Sequence, residues 1–162
     1  MQRFKFVVAL VIAALVVSPG CGGGRGNTIR VTGQLLKGGA KYVPPRGQLL
    51  SVTFVGLEIE DASGKKLPSG EPFLATLDQE SATFSVPGPE GYGIPPGKYR
   101  VAVTQRMARD AFEEAKKAGR TKKGATRETD LLSGRYSVET SPIVLEVKTS
   151  GEVTVDLDNP TG

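Results

Sequence analysis

Few residues here have the types and spacing for chemistry, and the first is a single thiol. Cys21 is the one cysteine among 162 residues, and histidine and tryptophan are absent. Without imidazole there is no Ser-His-Asp or Cys-His nucleophile, no HExxH zinc site and no histidine proton shuttle. Without a second cysteine there is no disulfide framework and no multi-cysteine metal cluster. Ser137, Ser141 and Lys148 are the residue types of a Ser-Lys nucleophile, but no spacing joins them. Asp156, Asp158 and Asn159 offer oxygens that calcium accepts, as do Glu58, Glu60 and Asp61. Calcium wants about six to eight oxygens on a tight loop. Neither group has that spacing, so both read as solvent-facing strand residues. The expectation is a protein that is not an enzyme and needs no cofactor or metal.

Two further groups suit binding. Tyr92 and Tyr136 are candidate aromatic platforms for a sugar ring, whereas Tyr99 alternates with Val101 and Val103 and reads as core. Arg106, Arg109, Lys116, Lys117, Arg120, Lys122, Lys123 and Arg127 stand against Asp110, Glu113 and Glu114 in one stretch. Arg120, Lys122 and Lys123 are its candidate contacts for anionic lipid headgroups or an acidic polymer. A Glu113-Lys117 pair at i,i+4 fits a solvated helix. Interleaved aromatics are lacking, so nucleic acid is not the expected partner.

These residues are positioned by short alternating runs bounded by glycine and proline, the texture of an all-β domain. Strands are predicted near residues 29–36, 50–55, 72–77, 82–86, 98–104, 143–148 and 152–157, with Ser150-Gly151 as a tight hairpin between the last two. Seven strands suit a Greek-key sandwich occupying residues 29–158, with a short tail at 159–162. One stretch, residues 107–118, has helical spacing, with Met107, Ala111, Ala115 and Ala118 on one stripe and Phe112 at its edge. It lies inside a crossover over residues 105–130.

The opening of the chain reads as an address. Arg3 and Lys5 precede an apolar run over residues 6–17, then Ser18-Pro19-Gly20-Cys21. The run is shorter than the roughly 20 residues that span a bilayer, as in an export signal. Cys21 after Gly20, followed by the Gly-rich residues 21–28, resembles the lipobox of bacterial lipoproteins, although Ser18 and Pro19 depart from the preferred Leu and Ala or Ser. That resemblance implies removal of residues 1–20 and acylation of Cys21. Ser18 and Gly20 also fit an ordinary signal-peptidase site, which gives free secretion instead. Removing residues 1–20 takes away Arg3 and Lys5 and no acid, so the net charge falls from +4 to +2. The basic balance is thus no argument for nucleic acid.

The runs VTGQLLKGGAKY, SVTFVG and SATFSVPGPEGYGIPPGKYRVAV carry a second likeness. Val31/Gly33/Leu35, Gly39/Ala40, Val52/Phe54, Phe84/Val86 and residues 95–103 resemble the successive strands of the carboxypeptidase regulatory-like domain, also called transthyretin-like or prealbumin-like. The whole chain is similar to lipoproteins of planctomycete type that contain it. The resemblance implies a seven-stranded sandwich that serves as a structural or binding accessory. A hydrolase relative within the transthyretin-like group depends on histidines and a C-terminal Tyr-Arg-Gly-Ser, neither of which stands here. The expected protein is a membrane-anchored lipoprotein facing the periplasm or cell surface, its partner an envelope protein or polymer; the alternatives are a secreted carbohydrate-binding domain and, more remotely, a small hydrolase.

Overall fold

The computed structural model describes residues 27–61 and 63–160. The expected signal segment, Cys21 and most of the Gly-rich tether lie outside the described residues. Among the described residues, alternation of apolar and polar side chains produces nine strands: β1 (Val31–Lys37), β2 (Ala40–Lys41), β3 (Gln48–Ile59), β4 (Pro72–Leu74), β5 (Thr76–Asp78), β6 (Thr83–Val86), β7 (Gly97–Met107), β8 (Val144–Val147) and β9 (Gly151–Asp156). They form two sheets. In one, β1 pairs with β2, β6 and β9, and β5 continues from β6; in the other the order is β4-β3-β7-β8. The all-β sandwich with one short helix is therefore the observed architecture.

The core is a single cluster between the sheets. β1 gives it Val31 and Leu35, β3 gives Val52 and Phe54, and β7 gives Tyr99, Val101 and Val103. The Phe54 ring centroid lies 5.9 Å from that of Phe84 and 6.1 Å from that of Tyr99, and Phe73 meets Tyr99 at 5.9 Å. Tilted and edge-on rings at these separations add about 0.5–1.5 kcal/mol per pair beyond simple burial. The Tyr99 hydroxyl donates to the Pro95 carbonyl at 2.5 Å. The Pro-Pro-Gly-Lys-Tyr run is thus a tyrosine corner, in which an aromatic side chain fixes the backbone turn four residues upstream.

Three expectations change. The run near 72–77 breaks at Ala75 into β4 and β5, which belong to different sheets. Ser150-Gly151 is not a hairpin: β8 pairs with β7 in one sheet, and β9 pairs in parallel with β1 in the other. β8 buries Leu145 and Val147, and β9 turns Val153 and Val155 inward, so each satisfies its pattern against a different neighbour. The helix α1 (Arg109–Lys117) is shorter than residues 107–118, because Met107 ends β7; Phe112 and Ala115 are its buried side chains.

The sandwich has two distinct poles. At the entry pole, Ile29 bridges Ile94, the Thr28 hydroxyl donates to the Tyr92 carbonyl at 3.0 Å, and β7 starts with Gly97 opposite Ile59 and Val147. At the far pole β7 ends with Met107 opposite Gln48, and α1 follows at once. The 11 residues of β7 separate the poles by about 35 Å.

Candidate functional site

The far pole carries a groove of about 600 Å³ between α1 and the segment that returns from it. Its location follows from how residues 120–136 are tied down. Asp130 accepts backbone N–H bonds from Gln105 at 3.0 Å, Leu132 at 3.0 Å and Gly134 at 2.9 Å. The Leu131 N–H donates to the Gln105 carbonyl and the Val103 N–H to that of Tyr136. The crossover is thereby stitched along the edge of β7. Behind it the buried Gln105 amide donates to Gln48 Oε1 at 2.5 Å, while its own Oε1 accepts from the Tyr42 hydroxyl at 2.6 Å. That polar network is satisfied, which removes the main penalty for burying an amide.

The other wall is α1, with Asp110 in its first turn and Lys116 and Lys117 in its last, favourable with respect to the helix dipole. It has no side-chain N-cap; the Phe112 N–H closes on Ala108, and the Ala108 N–H donates to the Gly47 carbonyl at 2.8 Å. Gly47 has φ +80°, and a Cβ there would come within 2.8 Å of the Ala111 Cβ. Glycine therefore lets the 44–47 loop lie against the helix and brings Arg46 to the groove.

Met107, Phe112 and Leu131 supply apolar lining, and Arg46, Arg120 and Lys122 supply cationic lining. Leu131 remains 42% exposed, so apolar surface faces solvent here. Four ion pairs are present among the described residues: Lys98–Glu58, Arg106–Glu128, Arg127–Glu128 and Lys148–Glu146. Arg46, Arg120 and Lys122 belong to none of them, nor do Glu113 and Lys117, the pair expected on the helix. Glu128 bridges Arg127 at 2.7 Å and Arg106 at 2.5 Å, and those bonds hold its carboxyl below the usual range. With Glu128 and Asp130 counted, residues 105–130 carry eight basic and five acidic side chains. The excess is smaller than the sequence reading gave, and of its members Arg120 and Lys122 line the groove, together with Glu114 and Asp130. Of the predicted contacts, Arg120 and Lys122 line the groove, whereas Lys123 is exposed outside it.

Tyr136 corrects the sugar-platform expectation. It is 3% exposed, and its hydroxyl donates to the Leu157 carbonyl at 2.6 Å. The Arg135 guanidinium lies 5.2 Å from its ring centre. Burial, the dominant influence, raises the phenol's pKa. Tyr136 is a core residue joining the crossover to the last strand, and no carbohydrate can reach its face. Tyr92 is 43% exposed but sits at the entry pole, so the two tyrosines do not share a surface.

The remaining candidates are dispersed. Ser141 is buried and donates to the Val101 carbonyl at 2.6 Å, Ser137 bonds Glu139 at 2.7 Å, and Lys148 pairs with Glu146. Asp156 accepts from the Gly38, Gly39 and Asp158 N–H groups and from the Asn159 amide. These bonds, that from Asp158 foremost, hold its carboxyl below the usual value. Asp61 closes its own turn on Ser63 and Lys65, and Glu58 pairs with Lys98. A second cavity of about 570 Å³ lies at the entry pole, beside Ile59, Pro96 and the paired Glu58 and Lys98. Its lining holds three acids, Glu58, Glu60 and Glu146, to two cations, Lys66 and Lys98, the reverse of the groove's balance.

Sequence reasoning missed Arg46, Asp130 and Leu131. Asp130 had a local signal, an acidic side chain two to four residues ahead of backbone N–H groups in a Gly-containing turn. Arg46 had none, because it reaches the site from a loop more than sixty residues before the others. No family model, curated protein or solved structure matches the chain.

Proposed function

We propose that the protein is a lipid-anchored β-sandwich of the carboxypeptidase regulatory-like kind, acting at the bacterial cell envelope as a non-catalytic binding module. The observation that carries this reading is the position of the chain's one cysteine: Cys21 follows the apolar run over residues 6–17 and precedes β1 by ten residues. Several acyl chains on such a cysteine hold a protein stably, where one chain gives only marginal binding. The chain from Cys21 to Thr28 spans at most about 25 Å when fully extended, which limits how far the entry pole stands from an anchor at Cys21. The tyrosine corner at Pro95 and Tyr99 supports the family likeness, since it gives the Pro-Pro-Gly-Lys-Tyr run a purely structural duty. Among the described residues no helix is long and apolar enough to cross a membrane.

Intact mass spectrometry of the envelope-fraction protein beside a Cys21→Ala variant tests the reading. The expected result is a chain starting at Cys21 with diacylglycerol and N-acyl mass, both lost in the variant together with membrane retention. An unmodified chain in the soluble fraction overturns it.

A further inference from the structure

The groove and the tether occupy opposite poles, and that separation bears on what the groove can bind. The described chain enters beside Tyr92 and Ile94, whereas Arg46, Arg120 and Lys122 lie beyond the far end of β7, about 35 Å away. At the entry pole the cations Lys98 and Lys148 are paired to Glu58 and Glu146. The entry cavity's lining nevertheless holds three acids to two cations, Lys66 being unpaired among the described residues, whereas the groove's holds three cations to two acids, so the net positive lining lies at the pole away from the membrane that, on the reading above, holds Cys21. Juxtamembrane cations act on anionic lipid only within about a Debye length, near 8–10 Å. With the entry pole turned toward the bilayer, the groove is out of that range.

We infer that the groove docks an acidic peptide segment of a partner protein standing on the side away from the anchoring bilayer. Two features favour a peptide. The lining combines an apolar strip, Met107, Phe112 and Leu131, with three cations outside the ion pairs of the described residues, which suits a segment alternating apolar side chains with carboxylates. The trough runs along a helix of nine residues and is open to solvent, the form that takes up a short segment along one face. A purely polar polyanion would leave Leu131 and its neighbours wet. The two acids in the lining do not cancel the rim: Asp130 is saturated by three backbone N–H groups, which leaves Glu114 alone opposed to three cations.

The docking claim rests on the binding-module reading, and the orientation claim on the anchor as well. The test uses the full chain carrying Cys21→Ala, which retains the groove and cannot be acylated. A fluorescein-labelled amphipathic peptide of Glu and Leu is titrated by anisotropy, beside the same peptide with Gln for Glu. Binding of the Glu peptide, weakened on the order of tenfold by Arg120→Glu with Lys122→Glu and also by Leu131→Ser, is the expected result. Lys65→Glu with Lys66→Glu makes the same charge change at the entry pole and leaves affinity unchanged. Equal losses from both charge pairs show nonspecific attraction and overturn the proposal. It is also overturned if polygalacturonate binds as tightly as the peptide, or if phosphatidylglycerol vesicles sediment the protein through Arg120 and Lys122. The peptide arm stands whether or not Cys21 is acylated, so failure of the anchor is read separately from the mass.

Discussion

Tyr99 carries more of the architecture than any other side chain in the sequence signature that contains it. Its ring is fully buried between Phe54 and Phe73, and its hydroxyl holds the Pro95 carbonyl. Tyr99→Phe keeps the ring and loses the bond, so it should cost about 1 kcal/mol in urea unfolding. Tyr99→Ala should cost about 3–5 kcal/mol, because a cavity is added. Burial pushes the Tyr99 phenol well above 10.0, its ordinary value, and raises that of Tyr136. In the folded state both protons are held more tightly, so their contribution is complete below that ordinary value and is lost as pH rises above it. Stability should fall in alkali, and Tyr99→Phe should flatten that fall; urea midpoints measured from neutral pH to above pH 10 check this. Asp156 acts with the opposite sign. Its carboxyl is held below the ordinary 3.8 by backbone donors, so its contribution is present above that value and lost as pH falls below it. Asp156→Asn should weaken the β1–β2 turn at neutral pH and lessen the acid sensitivity, read as exchange protection of the Gly38 and Gly39 amides.

At the scale of elements, the pairing of β9 with β1 is the feature most exposed to a single change. Gly33 sits at its centre, opposite Val153, and a Cβ there would lie 2.2 Å from the Val153 carbonyl oxygen and 2.6 Å from the Phe84 ring. The first contact is backbone, which cannot swing aside. Gly33→Ala should therefore displace β9, cost at least about 2 kcal/mol in chemical unfolding, and open residues 151–156 to amide exchange. The strands themselves were largely legible: each predicted run overlaps an observed strand, because alternation of apolar and polar residues is a local signal, while the short β2 lies in none of them. Their partners were not. Ser150-Gly151 has the composition of a hairpin turn, yet it carries the chain from one sheet to the other.

For the molecule as a whole, one core joins both sheets, since Phe54 of β3 touches Phe84 of β6 and Tyr99 of β7. Unfolding should be a single cooperative transition, with far-ultraviolet dichroism and tyrosine fluorescence coincident in urea; separate transitions would mean that the crossover opens as its own unit. Charge differs by pole, with three acids to two cations lining the entry cavity and three cations to two acids lining the groove.

By itself the sequence determined the composition-level exclusions, the all-β class, the strand-forming runs, the helix near residue 112 and the basic character of the crossover. Each of these depends on residue type and on spacing within one short window. The tertiary structure alone decided that Tyr136 is core, that Arg46 joins Arg120 and Lys122, that Asp130 fastens the crossover to β7, and that the groove lies at the pole opposite the chain's entry. The physical reason is the same throughout: a period-two pattern states which face of a strand is buried, but burial is satisfied equally well by several neighbours. Which neighbour wins is settled only when contacts far apart in the chain pack into one core.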